Sequence, residues 1–131
     1  MTDLRGLLRV VLGIGIVGGL GFLLLRSCAL TICAATPHSQ AVSPDGKVTA
    51  YVYQYDCGAT TGFSTDVSLR RSGRGHPNSA GNVLNIAGHP DATGVSVRWT
   101  QDGVLVVRRP DRPAHREATE VMGRTITYER W

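Results

Sequence analysis

Residues 10–25 of this chain, VVLGIGIVGGLGFLLL, form a run of sixteen residues without a polar side chain. Leu7 and Leu8 extend the run, which as a helix is about long enough to cross a bilayer core of roughly 30 Å at ~1.5 Å per residue. The sequence therefore predicts a cytoplasmic stub and a transmembrane helix in residues 1–26. This helix decides where the remaining residues, 27–131, lie.

The charges on either side of the run predict its orientation. Arg5 and Arg9 precede it, whereas Arg26 follows it alone and the next basic residue is Lys47. Because positive charge favours the cytoplasmic side, the N-terminus is expected in the cytoplasm and residues 27–131 outside it. We interpret the segment as a retained signal anchor in the cytoplasmic membrane.

Two other interpretations of the segment stay open. The small residues on either side of Cys28 are consistent with a cleaved signal peptide. The sequence Leu-Arg-Ser-Cys at 25–28 is consistent with a lipoprotein that is acylated at Cys28. Arg26 is unfavourable for both, because it stands where such sites carry small or apolar residues. The alternatives imply a secreted domain or a lipid-anchored one.

The membrane segment contains five glycines, of which Gly15 and Gly19 lie about one helical turn apart. Small residues allow two membrane helices to approach closely, so self-association through this face is one hypothesis. Glycine is also common in membrane spans in general, and we favour this simpler explanation.

The composition of residues 27–131 limits the function classes. Their length is enough for one domain with one modest core. They contain 11 basic and 9 acidic residues, a net charge of about +2, which is not the footprint of a nucleic-acid-binding domain. The histidines at positions 38, 76, 89 and 115 stand far apart in predicted loops, so no metal site is expected. We recognise no cofactor-binding or catalytic motif.

Three cysteines, Cys28, Cys33 and Cys57, follow the apolar run. Cysteines outside the cytoplasm tend to be oxidised, and Cys33 with Cys57 is the natural pair, because this bond would join the connecting segment to a strand. Such a loop closure would stabilise the fold by roughly 3 kcal/mol. Cys28 would then be a free thiol or a lipidation site, and a Cys28–Cys33 bond is the alternative.

Strand patterns fill the chain after a polar, proline-containing linker at residues 27–44. Apolar alternation, β-branched residues and Asp-Gly turns predict strands at 47–55, 65–71, 82–87, 95–100 and 104–109, with two more within 118–128. No segment after the linker shows sustained helical periodicity. We therefore predict a small all-β domain at residues 45–131, with an antiparallel, sandwich-like sheet arrangement.

The first predicted strand, residues 47–55, has an aromatic face formed by Tyr51, Tyr53 and Tyr55. Its other face is small and aliphatic, so neither face is plainly exposed to solvent. If the aromatic face is exposed, it is a candidate interaction surface. The second strand, residues 65–71, is expected to place its apolar side chains inward and these polar ones outward: Asp66, Ser68 and Arg70.

A second candidate surface is a cluster of arginines around one predicted loop, formed by Arg108, Arg109 and Arg112. Such a cluster suits an acidic partner or anionic lipid headgroups. Acidic residues interleave with these arginines, which favours an ordinary solvated surface.

The densest polar motif lies between the first two predicted strands and comprises Asp56, Cys57, Gly58, Thr60, Thr61 and Ser64. In one interpretation Cys57 is a nucleophile or redox thiol, with a histidine from elsewhere in the chain as its base. In the other, which we favour, Cys57 is half of a structural disulfide and the hydroxyl groups bind the backbone in a tight connection.

The sequence also contains Ser-Pro-Asp-Gly-Lys at 43–47, Asp-Cys-Gly-Ala-Thr-Thr at 56–61 and Val-Ser-Leu at 67–69. Together these resemble the core of a group of small bacterial membrane-anchored proteins. The resemblance implies the same architecture, a bacterial membrane segment followed by a small domain, and an importance of Cys57. It implies no catalytic activity. The hairpins around residues 45–46 and 102–103 also resemble those of TolB-like β-propellers, although 105 residues are too few for four blades of four strands.

These observations leave two hypotheses from different classes. We favour a non-catalytic, membrane-anchored domain outside the cytoplasm that binds another protein of the bacterial envelope. The alternative is an envelope thiol enzyme or redox factor that uses Cys57. An immunity or inhibitor-type protein directed against a secreted toxin is a special case of the first hypothesis.

Overall fold

The computed structural model describes residues 3–29, 33–58 and 61–131, and the side chains of all of these except 25–29. The chain divides into two compact units, Met1–Ile32 and Cys33–Trp131. In the first unit, helix α1 (Leu4–Ala29) contains the stretch Leu4–Leu24, 21 residues with a mean hydropathy of 2.3. This helix is long and apolar enough to span a membrane.

The second unit is built almost entirely from strands. Its described residues form β1 (Ala34–Val42), β2 (Val48–Asp56), β3 (Ser64–Arg71), β4 (Leu84–Ala87), the short helix α2 (Pro90–Thr93), β5 (Ser96–Trp99), β6 (Leu105–Arg109), β7 (Arg116–Glu117), β8 (Glu120–Val121) and β9 (Arg124–Arg130).

The strands form two sheets. The first has the order β1-β2-β3-β4-β7 and is antiparallel; the second has the order β5-β6-β9-β8, in which β6 and β9 run parallel. Two residues separate β7 from β8 along the chain, so this connection links the edges of the two sheets. The predicted fold class is confirmed: an apolar helix precedes a small, mostly antiparallel all-β domain.

Apolar side chains from both sheets form one core. Strands β2, β3 and β4 contribute from the first sheet, and β6 and β9 from the second. The main members are Val48, Ala50, Val52, Val67, Leu69, Leu84, Ile86, Leu105, Val107 and Ile126. The inward positions predicted for Val67 and Leu69 are confirmed, because both are almost fully buried.

Two Asp-Gly turns connect strands as expected. The first lies between β1 and β2, where the Gly46 amide donates to the Ser43 carbonyl over 2.8 Å and Gly46 has a φ of 71°. The second joins β5 and β6, where the Gly103 amide donates to the Thr100 carbonyl over 3.1 Å. Both glycines adopt the left-handed conformation that side chains disfavour.

One boundary differs from the prediction. Residues 34–42, assigned above to the linker, form β1, which pairs with β2 from Ala34 to Val42. Most of its side chains are exposed, and the register shifts between Pro37 and Ser39. An edge strand held by backbone hydrogen bonds needs no apolar alternation and tolerates proline, so the sequence pattern did not reveal it.

Candidate functional site

The structure joins Cys33 and Cys57 in a disulfide, the pair favoured above. The bond ties the chain before β1 to the end of β2. The side chain of Cys28 lies outside the described residues. Because the Cys57 sulfur is bonded to Cys33, it is not a free nucleophile in this structure.

The other residues of the polar motif bind the backbone around this bond. The Asp56 carboxylate accepts from the Gly58 amide over 2.9 Å, and the Thr61 hydroxyl donates to the Gly58 carbonyl over 3.4 Å. The Ser64 hydroxyl oxygen lies 3.3 Å from the Tyr55 carbonyl oxygen, while Thr60 lies outside the described residues. These contacts stabilise a tight connection between β2 and β3.

The prediction that Asp66 faces solvent is wrong, because Asp66 is fully buried. Its carboxylate accepts from the Ser64 hydroxyl and the Gly81 amide, each over 2.6 Å. The Asn85 side-chain amide donates to both carboxylate oxygens over 2.9 Å. Ser68, also expected outward, is buried as well. The satisfied carboxylate therefore anchors the segment that covers this face of β3.

Residues 72–82, which we call the covering loop, lie over the aromatic face of β2. The His76 ring meets the Tyr51 and Tyr53 rings edge-on, with centroids 5.4 and 5.1 Å apart. The Tyr53 hydroxyl donates to the Ser79 carbonyl over 2.7 Å, and burial raises the pKa of Tyr53 to about 12. Tyr51 and Tyr53 are buried and Tyr55 is half-buried, so this face is not the exposed aromatic surface considered above.

The end of the covering loop depends on Gly81. A β-carbon at this position would lie 2.4 Å from the Leu84 carbonyl oxygen and 2.8 Å from that of Val67. Both are backbone atoms that cannot move aside independently. The chain can close over the sheet here only because residue 81 has no side chain.

The arginines around the second predicted surface do not act together. The Arg108 guanidinium lies over the Trp131 ring at 5.0 Å, and Arg112 donates to the Ala87 carbonyl. Arg109 is buried and pairs with Glu117, which also pairs with Arg130. This surface is therefore not a single arginine cluster, and Arg109 is inaccessible to a partner.

Glu117 is held ionised by its two arginine partners. Desolvation raises its pKa, but hydrogen bonds from Arg130 and Arg109 outweigh this, so the pKa of Glu117 lies below its ordinary value. The carboxylate stands on β7 of the first sheet, whereas Arg109 and Arg130 stand on β6 and β9 of the second. This ion pair network joins the two sheets.

A groove that no sequence motif indicates lies at the end of the first sheet. Two adjoining cavities of about 530 and 660 Å³ share Arg71 and Met122 as walls. Arg74 lines the first cavity, and Lys47 and Arg124 line the second. We call these two cavities together the basic groove, whose walls include Lys47, Arg71, Arg74, Met122 and Arg124.

Most of the cations in the basic groove have no acidic partner. Among the described residues, Lys47, Arg71 and Arg74 form no ion pair and are exposed, whereas Arg124 pairs with Asp45. Hydrogen bonds from the Ser43 hydroxyl, Arg124 and the Lys47 amide hold the pKa of Asp45 well below its ordinary value. The groove therefore presents three exposed positive charges that the domain does not neutralise.

Met122 gives the basic groove an exposed apolar side chain in an unusual backbone conformation. It lies in the two-residue turn between β8 and β9, with a φ of 54°, followed by Gly123 with a φ of 70°. Two successive positive φ values define a type I′ turn, which favours Asn or Gly at the first position. Methionine here is 46% exposed, so burial does not explain its presence.

The groove combines residues from three distant parts of the sequence. Lys47 follows the first Asp-Gly turn, Arg71 and Arg74 flank the end of β3, and Arg124 begins β9. Lys47 and Arg124 are isolated basic residues in their own segments, and no local pattern brings them together with Arg71 and Arg74. Only the basic character of residues 70–74 provides a partial signal.

Within the described residues, no group of three or more His, Cys, Asp or Glu side chains forms a candidate metal site. No protein-family model, curated protein or solved structure matches the chain. The motif resemblances drawn from the sequence therefore stay predictions.

Proposed function

We propose that this chain is a non-catalytic, membrane-anchored binding protein of the bacterial inner membrane, whose β domain lies outside the cytoplasm and binds another envelope protein through the basic groove. The observation that carries this proposal is the groove itself. Its three exposed cations, Lys47, Arg71 and Arg74, line two adjoining cavities and form no ion pair among the described residues.

The location outside the cytoplasm draws on two independent features. The Cys33–Cys57 disulfide is of a kind that persists in oxidising compartments and is rare in the cytosol. The arginines before the apolar helix favour an N-terminus in the cytoplasm, which sends the β domain to the other side.

The alternative of a thiol enzyme requires a free Cys57 thiolate. The disulfide removes that thiolate, Asp56 and Thr61 bind backbone groups, and Ser64 donates to the buried Asp66 carboxylate. An immunity or inhibitor-type role remains a form of the proposed function, in which the bound protein is a secreted toxin.

Site-specific photo-crosslinking in intact cells tests the proposal. A photoreactive amino acid replaces Asn78, an exposed and uncharged residue that lines the basic groove. The matched control replaces Ala92, an exposed residue of α2 that lines none of the cavities described here. We expect a discrete protein adduct from position 78 and none from position 92.

The same cells report the location of the domain. In a chain that also carries Cys28→Ser, a cysteine introduced at position 92 should react with a membrane-impermeant maleimide added outside the cytoplasmic membrane. Absence of an adduct from position 78, or labelling of the cysteine only after the membrane is permeabilised, would overturn the proposed function.

A further inference from the structure

We infer that the basic groove binds an acidic segment of its partner polypeptide, with carboxylates on Lys47, Arg71 and Arg74 and an apolar side chain on Met122. This inference rests on the proposed function and adds the chemistry of the partner. Four observations on the groove support it: its charge, its donor geometry, its size and its place in the domain.

The charge of the groove calls for an anionic occupant. Three exposed cations surround it, and the carboxylate beside it belongs to Asp45, which is already bound by Ser43, Arg124 and the Lys47 amide. Bringing like charges together without counter-charge is unfavourable, and an anion entering the groove would relieve this repulsion. The domain supplies no further carboxylate among the residues that line either cavity.

The donors in the groove suit carboxylates. Arginine presents a planar fork of N–H groups that matches a carboxylate with two parallel hydrogen bonds. Arg71 and Arg74 lie on either side of the turn that follows β3 and line the same cavity, so one bound segment can meet both guanidinium groups. The Asn78 amide, on the wall of the same cavity, adds a neutral donor and acceptor.

The size and apolar content of the groove favour a peptide over a small anion. The two adjoining cavities have volumes of about 530 and 660 Å³, each in the range of sites for drug-sized ligands, so a single inorganic anion would leave most of the space unfilled. Met122 adds a flexible thioether that adapts to different apolar side chains. A segment with both acidic and apolar residues would use all of these walls.

The groove lies at one end of the first sheet, and Cys33 enters β1 at the other end. Cys33 and Ala34 lie at the start of β1, opposite Asp56, whereas Lys47 and Arg71 lie at the other end, beyond Val42. Nine residues of strand separate the two ends by roughly 30 Å at ~3.3 Å per residue. A partner segment can therefore occupy the groove without contacting the point where the tether leaves the domain.

Peptide binding to the full chain in phosphatidylcholine nanodiscs tests the inference. The probe is a short fluorescent peptide in which Glu and Leu alternate, and its matched control has Gln in place of each Glu. Fluorescence anisotropy should show binding of the acidic peptide and at least tenfold weaker binding of the control. Added salt should weaken the acidic peptide's binding, because its ion pairs are exposed.

Variants of the chain locate the binding. We expect Arg71→Gln to weaken binding of the acidic peptide on the order of threefold to fivefold, and Arg71→Gln combined with Arg74→Gln about tenfold. Arg116→Gln is the matched control, because Arg116 is exposed, forms no ion pair among the described residues and lies outside the groove. It should change binding by less than about twofold.

Several results would overturn the inference. Equal affinity for the Glu and Gln peptides, or equal weakening by Arg71→Gln and Arg116→Gln, would show that the groove does not select carboxylates. Displacement of the peptide by inorganic phosphate, at a phosphate concentration that supplies the same total negative charge as the peptide, would identify a phosphate site. Displacement of the peptide, in phosphatidylcholine nanodiscs, by glycerophosphoglycerol, the water-soluble headgroup of phosphatidylglycerol, would identify a lipid headgroup site.

These outcomes are distinguishable from failure of the proposed function. If the adduct from position 78 forms in cells but the peptide results are negative, the groove binds a protein without acidic recognition, and only the present inference fails. If no adduct forms, the proposed function fails, whatever the peptides show.

Discussion

At the scale of single residues, Asp66 shows how a polar position can be essential to the core. Alternation along β3 places it on the face opposite Val67 and Leu69, yet it is fully buried with hydrogen bonds to both carboxylate oxygens. A buried carboxylate is tolerated only when such bonds replace water. Asp66 thus joins β3 to the covering loop and to β4.

Replacing this carboxylate should destabilise the domain. In Asp66→Asn, an NH2 group replaces one carboxylate oxygen and faces the N–H donors of Gly81 or Asn85. We therefore expect the free energy of unfolding to fall by about 2 kcal/mol and Tm to fall by roughly 10 °C. Circular dichroism of the full chain in detergent micelles measures the change. Asp91→Asn is the control, because that side chain is 94% exposed. An equal Tm for both variants would contradict the role given to Asp66.

Met122 presents the opposite case, an exposed residue in an unfavourable conformation. Asn tolerates positive φ, so Met122→Asn should stabilise the domain by about 1 kcal/mol and raise Tm by about 5 °C. Met122→Ala keeps the same conformational penalty and should bring no such gain. Both variants should bind the acidic peptide less tightly, since both remove the thioether. An unchanged Tm in Met122→Asn would show that the turn carries no strain.

At the scale of secondary structure elements, short strands hold the two sheets together. β7 and β8 contain two residues each, too few to be stable by themselves, but β7 carries Glu117. Its carboxylate binds Arg109 on β6 and Arg130 on β9. Because Arg109 is buried, this contact crosses between the sheets in a largely desolvated place.

This network predicts a pH dependence. The folded-state pKa of Glu117 lies below its ordinary value of about 4.5, so its stabilisation is complete above that value and is lost as the pH falls through the folded-state pKa. At neutral pH, Glu117→Gln should cost about 2 kcal/mol, because Arg109 then lacks its counter-charge. The variant should also lose less stability than the wild type on acidification.

Urea unfolding of the full chain in micelles, at neutral pH and at about pH 3, measures both effects. Glu120→Gln on β8 is the control, since Glu120 is exposed and forms no ion pair among the described residues. If Glu117→Gln and the wild type lose equal stability on acidification, Glu117 is not the group responsible.

At the scale of the whole molecule, the chain combines an apolar helix with a disulfide-bonded β domain. This combination predicts the intact mass of protein purified from membranes and alkylated without reduction. We expect the mass of residues 1–131 plus one alkyl group on Cys28, since Cys33 and Cys57 are bonded to each other. Mass spectrometry of the undigested chain measures both quantities at once.

Other masses would overturn parts of this picture. A chain that begins at Cys28 with added acyl groups would be a lipoprotein, and an unacylated shorter chain would be a secreted domain. Three alkyl groups on the full-length chain would show that the disulfide is absent in cells and would restore the hypothesis of a reactive Cys57.

Local patterns in the sequence were sufficient for most elements. Sixteen apolar residues predicted the membrane-length helix, and alternation predicted β2, β3, β5 and β6 to within one residue at each end. The two Asp-Gly turns were also predicted, because positive φ is a property of the residue itself. Edge strand β1 was missed, since its pairing depends on backbone groups that every residue carries.

By itself, the sequence determined the apolar helix, the all-β character of the domain, its main strands and its favoured disulfide. The tertiary structure alone decided which polar and aromatic side chains are accessible. The covering loop buries Tyr51, Tyr53 and Asp66, and the basic groove gathers Lys47, Arg71, Arg74 and Arg124 from separate segments. The physical reason is that periodicity reports only local geometry, whereas burial and charge clustering depend on contacts between residues far apart in the chain.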